Sequence, residues 1–349
     1  VFVPERFMLL VPINTDAPVY HVPVATIGLI VANLLCFAAS GFALHPERMD
    51  FWTLQYGNGM NPAHWIPAAF AHGGVMHLLT NMFFLWGFGL VVEGKLGWRV
   101  FLPLYLAMAA AWGAGVDLLT LHRTDDYVLR NELHLESIDE LREAVRESLD
   151  PDGRPIGERL VDMVLNDGPP VDHPQPAVDG DQDLQPPDGA LDRDADTEGD
   201  PDLVADGPDA DPRVEELTQL VLNAAKGRCL GASGVIFALM AISLVWAPKN
   251  EMHVVGFFFY RPFSIDVSIM FFSLAFLVLN LIEFALVPGM GSSGLHLVGV
   301  AIGFPVGVLW LKRGWVDCEK WDLFSVMSGQ YGRFAEPDWA LGQHGNPNN

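Results

Sequence analysis

The run FAHGGVMHLLTNM, residues 70–82, sets His72, His77 and Asn81 at the head of an apolar stretch that continues to Val92. A helix that crosses a bilayer needs about 20 predominantly apolar residues, and residues 74–92 come close to that length. His77 and Asn81 are four positions apart, so a helix places them on one face, with His72 just before its start. Polar side chains inside a span are costly and by default mark function. Taken alone, the same cluster would serve equally well to hydrogen-bond neighbouring helices.

Five further apolar windows lie at 24–44, 100–121, 231–248, 266–287 and 295–311, giving six expected spans. Composition points the same way. Half of the 349 residues are hydrophobic and 18% are charged, against about a quarter in soluble domains, and mean hydropathy is +0.26. These values exclude a soluble single-domain enzyme. The net charge of −23 is concentrated, because residues 122–228 hold 29 acidic and 10 basic side chains. Without clustered Lys and Arg, nucleic acid is excluded as a partner. Cys36, Cys229 and Cys318 are too few and too scattered for a disulfide framework.

Lys and Arg in short loops set the expected orientation. Arg6, Lys95, Arg99, Lys249, Arg261, Lys312, Arg313 and Lys320 fall on one side, which puts both termini in the cytoplasm. Arg48 falls on the other side. Arg123, Lys226 and Arg228 flank the acidic segment, but long loops translocate largely regardless of charge. The expected organisation is a cytoplasmic segment 1–23, three spans in 24–121, an acidic extracytoplasmic insert 122–228, three spans in 229–311 and a cytoplasmic tail 312–349. Mixed residues precede the first span, a poor fit to a cleaved signal peptide.

Within the insert, Leu133, Leu135, Ile138, Leu141, Val145 and Leu149 predict an amphipathic helix over 131–149, and a second is expected around 212–225. Residues 167–211 are dense in Asp, Pro and Gly and predict disorder. Asp194, Asp196, Glu198 and Gly199 mimic the first half of a calcium loop, but Ala205 stands where a bidentate Glu is needed, so a solvated acidic tether is the preferred reading.

Two more polar clusters interrupt the spans. Ser233, preceded by Gly231 and Ala232 and followed by Gly234, opens the fourth span, where a helix amino terminus favours an alkoxide or oxyanion. The pattern departs from the hydrolase nucleophile elbow, because Val235 occupies the position that needs glycine. Small residues there serve equally for tight packing. His296 opens the sixth span, with Gly299 and Gly303 below it on the same face. That smooth face would let the fourth span approach and bring His296 Nε2 to Ser233, as a general base requires.

Together, H-x-x-x-x-H-x-x-x-N at His72, His77 and Asn81, G-x-S-G at Gly231–Gly234 and H-x-x-G-x-x-x-G at His296, Gly299 and Gly303 resemble the rhomboid intramembrane serine proteases. The stretch V-E-G-K-L-G around Glu93 and Gly97 is similar too. The resemblance implies an all-α polytopic membrane protein, the six-transmembrane-helix rhomboid fold with a large acidic insert between the third and fourth spans. It implies an integral protein of the bacterial inner membrane, with Ser233 as nucleophile and His296 as general base. His77, Asn81 and the Ser233 backbone N–H would stabilise the oxyanion. His72 would be a structural hydrogen-bonding residue, and Gly231, Gly234, Gly299 and Gly303 would be structural.

The implied substrates are transmembrane proteins in a lipid bilayer, cleaved near the outer face, with no cofactor and no metal. Phe237 stands where many bacterial relatives carry a tyrosine that stacks on the histidine. The Trp-Arg pair typical of the first outside loop is missing, since Ile66 follows Trp65. The insert could gate or recruit substrates or bind an unknown extracytoplasmic partner. Two alternatives remain at this point. One is a rhomboid-like pseudoprotease that binds transmembrane helices without cutting. The other is a transporter or metal site built from His72, His77 and His296 with Asp117 and Glu283.

Overall fold

The computed structural model describes residues 10–41, 50–147, 212–258, 261–286 and 291–330. Leu149, the acidic tract 167–211 with its calcium-like run, and residues 331–349 of the tail lie outside them. The chain divides into two compact units, Val1–Arg123 with Arg228–Asn349, and Thr124–Gly227.

In the first unit, helices fall in all six apolar windows: α1 (Val24–Ala39), α3 (Val75–Leu96), α4 (Trp98–Thr120), α8 (Ser233–Trp246), α9 (Ile269–Leu286) and α10 (Ser292–Lys312). Four of them, α3, α4, α9 and α10, are long and apolar enough to cross a membrane, while α1 and α8 are shorter. A short α2 (Pro62–Ala68) precedes α3, and α11 (Leu323–Met327) follows α10. Every residue of α8 from Gly234 to Trp246 is buried, the expected place for a helix that is apolar all round. In α9 the pattern inverts. Only Ile269, Ser273 and Asn280 are buried, while Phe271, Val278, Leu279 and Ile282 are exposed, the arrangement of a helix that turns its apolar side to lipid.

Glycine fixes the closest helix contact. A Cβ added at Gly299 would lie 2.0 Å from the Gly234 carbonyl oxygen, and one at Gly303 would lie 2.1 Å from that of Ala238. Gly307, one turn further on, faces Ile242 and accepts a hydrogen bond from Trp246 Nε1 at 2.8 Å. Both helices step by four residues, so α8 and α10 pack backbone to backbone along three turns. On the other side of α8, a Cβ at Gly234 would fall 2.1 Å from Trp112 Nε1 of α4.

Glu93 anchors α1. Fully buried, it accepts hydrogen bonds from the Ala25 and Thr26 backbone N–H groups at 2.8 and 2.7 Å and from the Thr26 hydroxyl at 2.6 Å. A carboxylate there satisfies orphan donors at the positive end of the helix. Gly89 and Gly94 leave room for Thr26 and Val19 beside it.

The all-α expectation needs correction. Residues 249–265, read as a plain loop, contribute β4 (Glu251–Phe258) and much of β5 (Arg261–Ser268), an antiparallel hairpin to which β1 (Leu10–Thr15) adds in the order β1-β4-β5. Met252 and Val254 are buried at alternate positions, a period of two too short to stand out between long apolar runs. The ends expected as simple cytoplasmic extensions are thus partly built into the body. Tyr20 OH donates to Glu319, and this contact together with burial pushes the phenol up to about 12. Cys318 is buried, which holds its thiol up at about 12.

A two-stranded ribbon pairs β2 (Leu54–Gln55) with β3 (Arg228–Cys229), Leu54 opposite Cys229 and Gln55 opposite Arg228. Two residues beyond Gln55, the Arg123 carbonyl packs against Gly57, whose φ of +75° suits glycine. Arg123 and Arg228, the first unit's residues on either side of the acidic segment, therefore both meet residues 55–57.

The second unit holds α5 (Asp125–Asn131), α6 (Ile138–Glu147) and α7 (Pro212–Lys226) around Val128, Leu129, Leu141, Val145, Val214, Val221 and Leu222. Arg142 Nε pairs with Glu215 at 2.8 Å. The helix expected over 131–149 is broken. The Ser137 hydroxyl accepts from Glu140 N at 3.3 Å while Glu140 reaches back to Glu136 N at 2.6 Å, close to a capping box that restarts the helix.

Candidate active site

Ser233 is the first residue of α8 and is half-buried. No side chain caps this end, so first-turn N–H groups remain unpaired within the helix. The turn before it depends on Gly231, whose φ is +124°, a value that L side chains rarely adopt. Gly231 N–H donates to the Ala68 carbonyl at 2.8 Å, tying the turn to the end of α2.

His77 and Asn81 of α3 converge on that turn. A Cβ at Gly231 would sit 2.9 Å from His77 Cε1 and Nε2 and 3.7 Å from Asn81 Nδ2. Gly73 N–H donates to His77 Nδ1 at 3.4 Å, which leaves the ring proton on Nε2, one of the two His77 atoms that face Gly231. Asn81 is 5% exposed and its Nδ2 has no acceptor among the described residues. An unpaired buried donor costs about 1–3 kcal/mol, so this amide is set up for an acceptor that arrives with a ligand.

His72 lies just before α3, beside His77. It is fully buried and packs edge-on to His77, ring centroids 5.1 Å apart, but neither ring nitrogen is hydrogen-bonded among the described residues. The Phe70 backbone lies near without meeting hydrogen-bond geometry. Burial, with a smaller contribution from His77, holds the imidazole down at about 3.

His296 lies in the first turns of α10. Phe237, one turn below Ser233, stacks on its ring with centroids 4.1 Å apart and planes within 6°. The ring of Phe237 thus covers one face of the imidazole. His296 Nδ1 meets Asn280 Oδ1 at 2.8 Å, and Nε2 faces Ser292 Oγ at 3.4 Å. The expected bond from Ser233 to His296 is not made. Nε2 points to Ser292, one turn back on the same helix, and such bonds are often loose until substrate is present.

Asn280, on α9, went unnoticed in the sequence, although a polar residue within a span carries the same signal that marked Asn81. Asp117 belongs elsewhere. It is buried and accepts from Trp65 Nε1 at 2.7 Å and Asn61 N at 3.0 Å. Glu283 is exposed on α9. Among the described residues, no three His, Cys, Asp or Glu side chains form a group that could hold a metal ion. Cys229, in the ribbon below Ser233, is buried, and its thiol is pushed up to about 12.

No curated protein and no solved structure matches the chain. The family model described as the Rhomboid domain matches residues 61–128 and 214–313, which take in Ser233, His296, His77 and Asn81. With four membrane-length apolar helices, this is an integral membrane protein. The chain belongs to the rhomboid family, whose members are generally intramembrane serine proteases.

Proposed function

We propose that this protein is an active intramembrane serine endopeptidase acting through a Ser233–His296 dyad. The observation that carries the reading is convergence. The Phe237 stack and the Gly299–Gly234 contact set His296 beside the first turn of the helix that Ser233 opens, and the unpaired Asn81 amide and His77 Nε2 reach the same turn.

His296 Nε2 takes the proton from Ser233 Oγ as the oxygen attacks the scissile carbonyl. His77, Asn81 and the Ser233 N–H donate to the oxyanion. His296 returns the proton to the leaving amine, and water then hydrolyses the acyl-enzyme by the same relay. Substrates are transmembrane helices that unwind near the outer face, because a helix with every carbonyl paired presents none to a nucleophile. Six spans, both termini cytoplasmic, location in the bacterial inner membrane and an extracytoplasmic acidic insert complete the proposal. The alternating basic loops support that orientation.

In lipid nanodiscs, a fluorophosphonate should label the wild type and leave Ser233→Ala unlabelled. His296→Ala should lose both labelling and cleavage of a model transmembrane substrate. Absence of labelling in the folded wild type would leave a helix-binding relative without protease activity.

A further inference from the structure

We propose that Asn280 is a positioning residue for the general base, a neutral counterpart of the carboxylate that orients histidine in hydrolytic triads. The proposal rests on the Ser233–His296 reading. The orientation of the amide is fixed by its own second bond. Nδ2 donates to the Phe276 carbonyl, one turn back on α9, at 2.8 Å, so Oδ1 is the atom 2.8 Å from His296 Nδ1. A carbonyl oxygen only accepts, so Nδ1 carries the ring proton. In a neutral imidazole this leaves the lone pair on Nε2, the form that can take a proton from a serine hydroxyl.

Phe237 and Asn280 divide the task. The stacked phenyl fixes the plane of the imidazole but permits a half-turn within that plane, which would exchange a nitrogen for a carbon. The bond to Asn280 blocks it. At 7% exposure, Asn280 has little access to water as a substitute acceptor. It is one of three buried residues on a helix that otherwise turns apolar side chains outward. The base on α10 is therefore oriented from α9, and separation of these two helices at this level would release the ring.

The test compares Asn280→Leu with Asn280→Asp, which keeps an acceptor for Nδ1–H. N280L should lose on the order of 10- to 100-fold in kcat, short of the full general-base contribution of about 10²–10⁴. KM should stay within about twofold. N280D should recover most of the loss. The ¹⁵N spectrum of histidine-labelled protein, with His296 identified by its absence in His296→Gln, should show Nδ1–H in the wild type and N280D and a shift toward Nε2–H in N280L. N280L reacting like the wild type, N280D as impaired as N280L, or a wild-type ring protonated at Nε2 would each overturn the proposal. If the wild type fails to react with fluorophosphonate, the dyad reading falls, while the tautomer still decides the role of Asn280. If N280L does not fold, loss of the Nδ1–H signal in N280D overturns the proposal and its retention supports it.

Discussion

Burial keeps the His72 imidazole uncharged at neutral pH, and this has a consequence for stability. An unfolded imidazole protonates near 6.5, the folded one near 3. Between those values the unfolded chain binds more protons, so stability falls as pH drops from 6.5 toward 3. His72→Gln should remove that part of the acid sensitivity. In detergent, its melting temperature should fall less than that of the wild type between about pH 7 and about pH 5. Equal falls would show that His72 is not held neutral by the fold. Ser233, His77, Asn81 and His296 were all legible as polar groups in apolar runs. Asn280 obeys the same rule, but its meaning depends on which face of α9 meets α10, and a helix apolar on nearly all sides gives no rotational signal in sequence.

Among the elements, the α8–α10 seam is the most exacting. Gly303→Ala would drive a methyl into the backbone of Ala238, which cannot step aside as a flexible side chain could. It should cost about 1–3 kcal/mol and lower the melting temperature in detergent. Gly28→Ala in α1 is the control, because none of the described residues lies within 4 Å of the added carbon, and it should be neutral or stabilising. Matching losses at both sites would refute seam packing as the cause. The glycine spacing at 299 and 303 was readable in advance because small residues at four-residue intervals have few other uses inside a span. The β4–β5 hairpin was not, since its short alternation lies between two apolar helices. The break before α6 was written in Ser137 and Glu140, but these two residues lie inside a longer amphipathic pattern that masks it.

At the scale of the whole chain, replacing Thr124–Gly227 with a short Gly-Ser linker should leave a protein that reacts with fluorophosphonate at Ser233, while the set of cleaved substrates changes. Loss of reactivity in a folded variant would make the acidic segment part of the catalytic body. The ribbon at Leu54–Gln55 bears on more than this excision. Arg228 pairs with Gln55 and Arg123 packs on Gly57, so the polypeptide leaves and rejoins at adjoining points of one loop. Such a junction acts as a socket. Modules of almost any length can be exchanged there during evolution without disturbing a helix, and a fluorescent protein grafted at the same joint would make a reporter from an otherwise intact membrane protein.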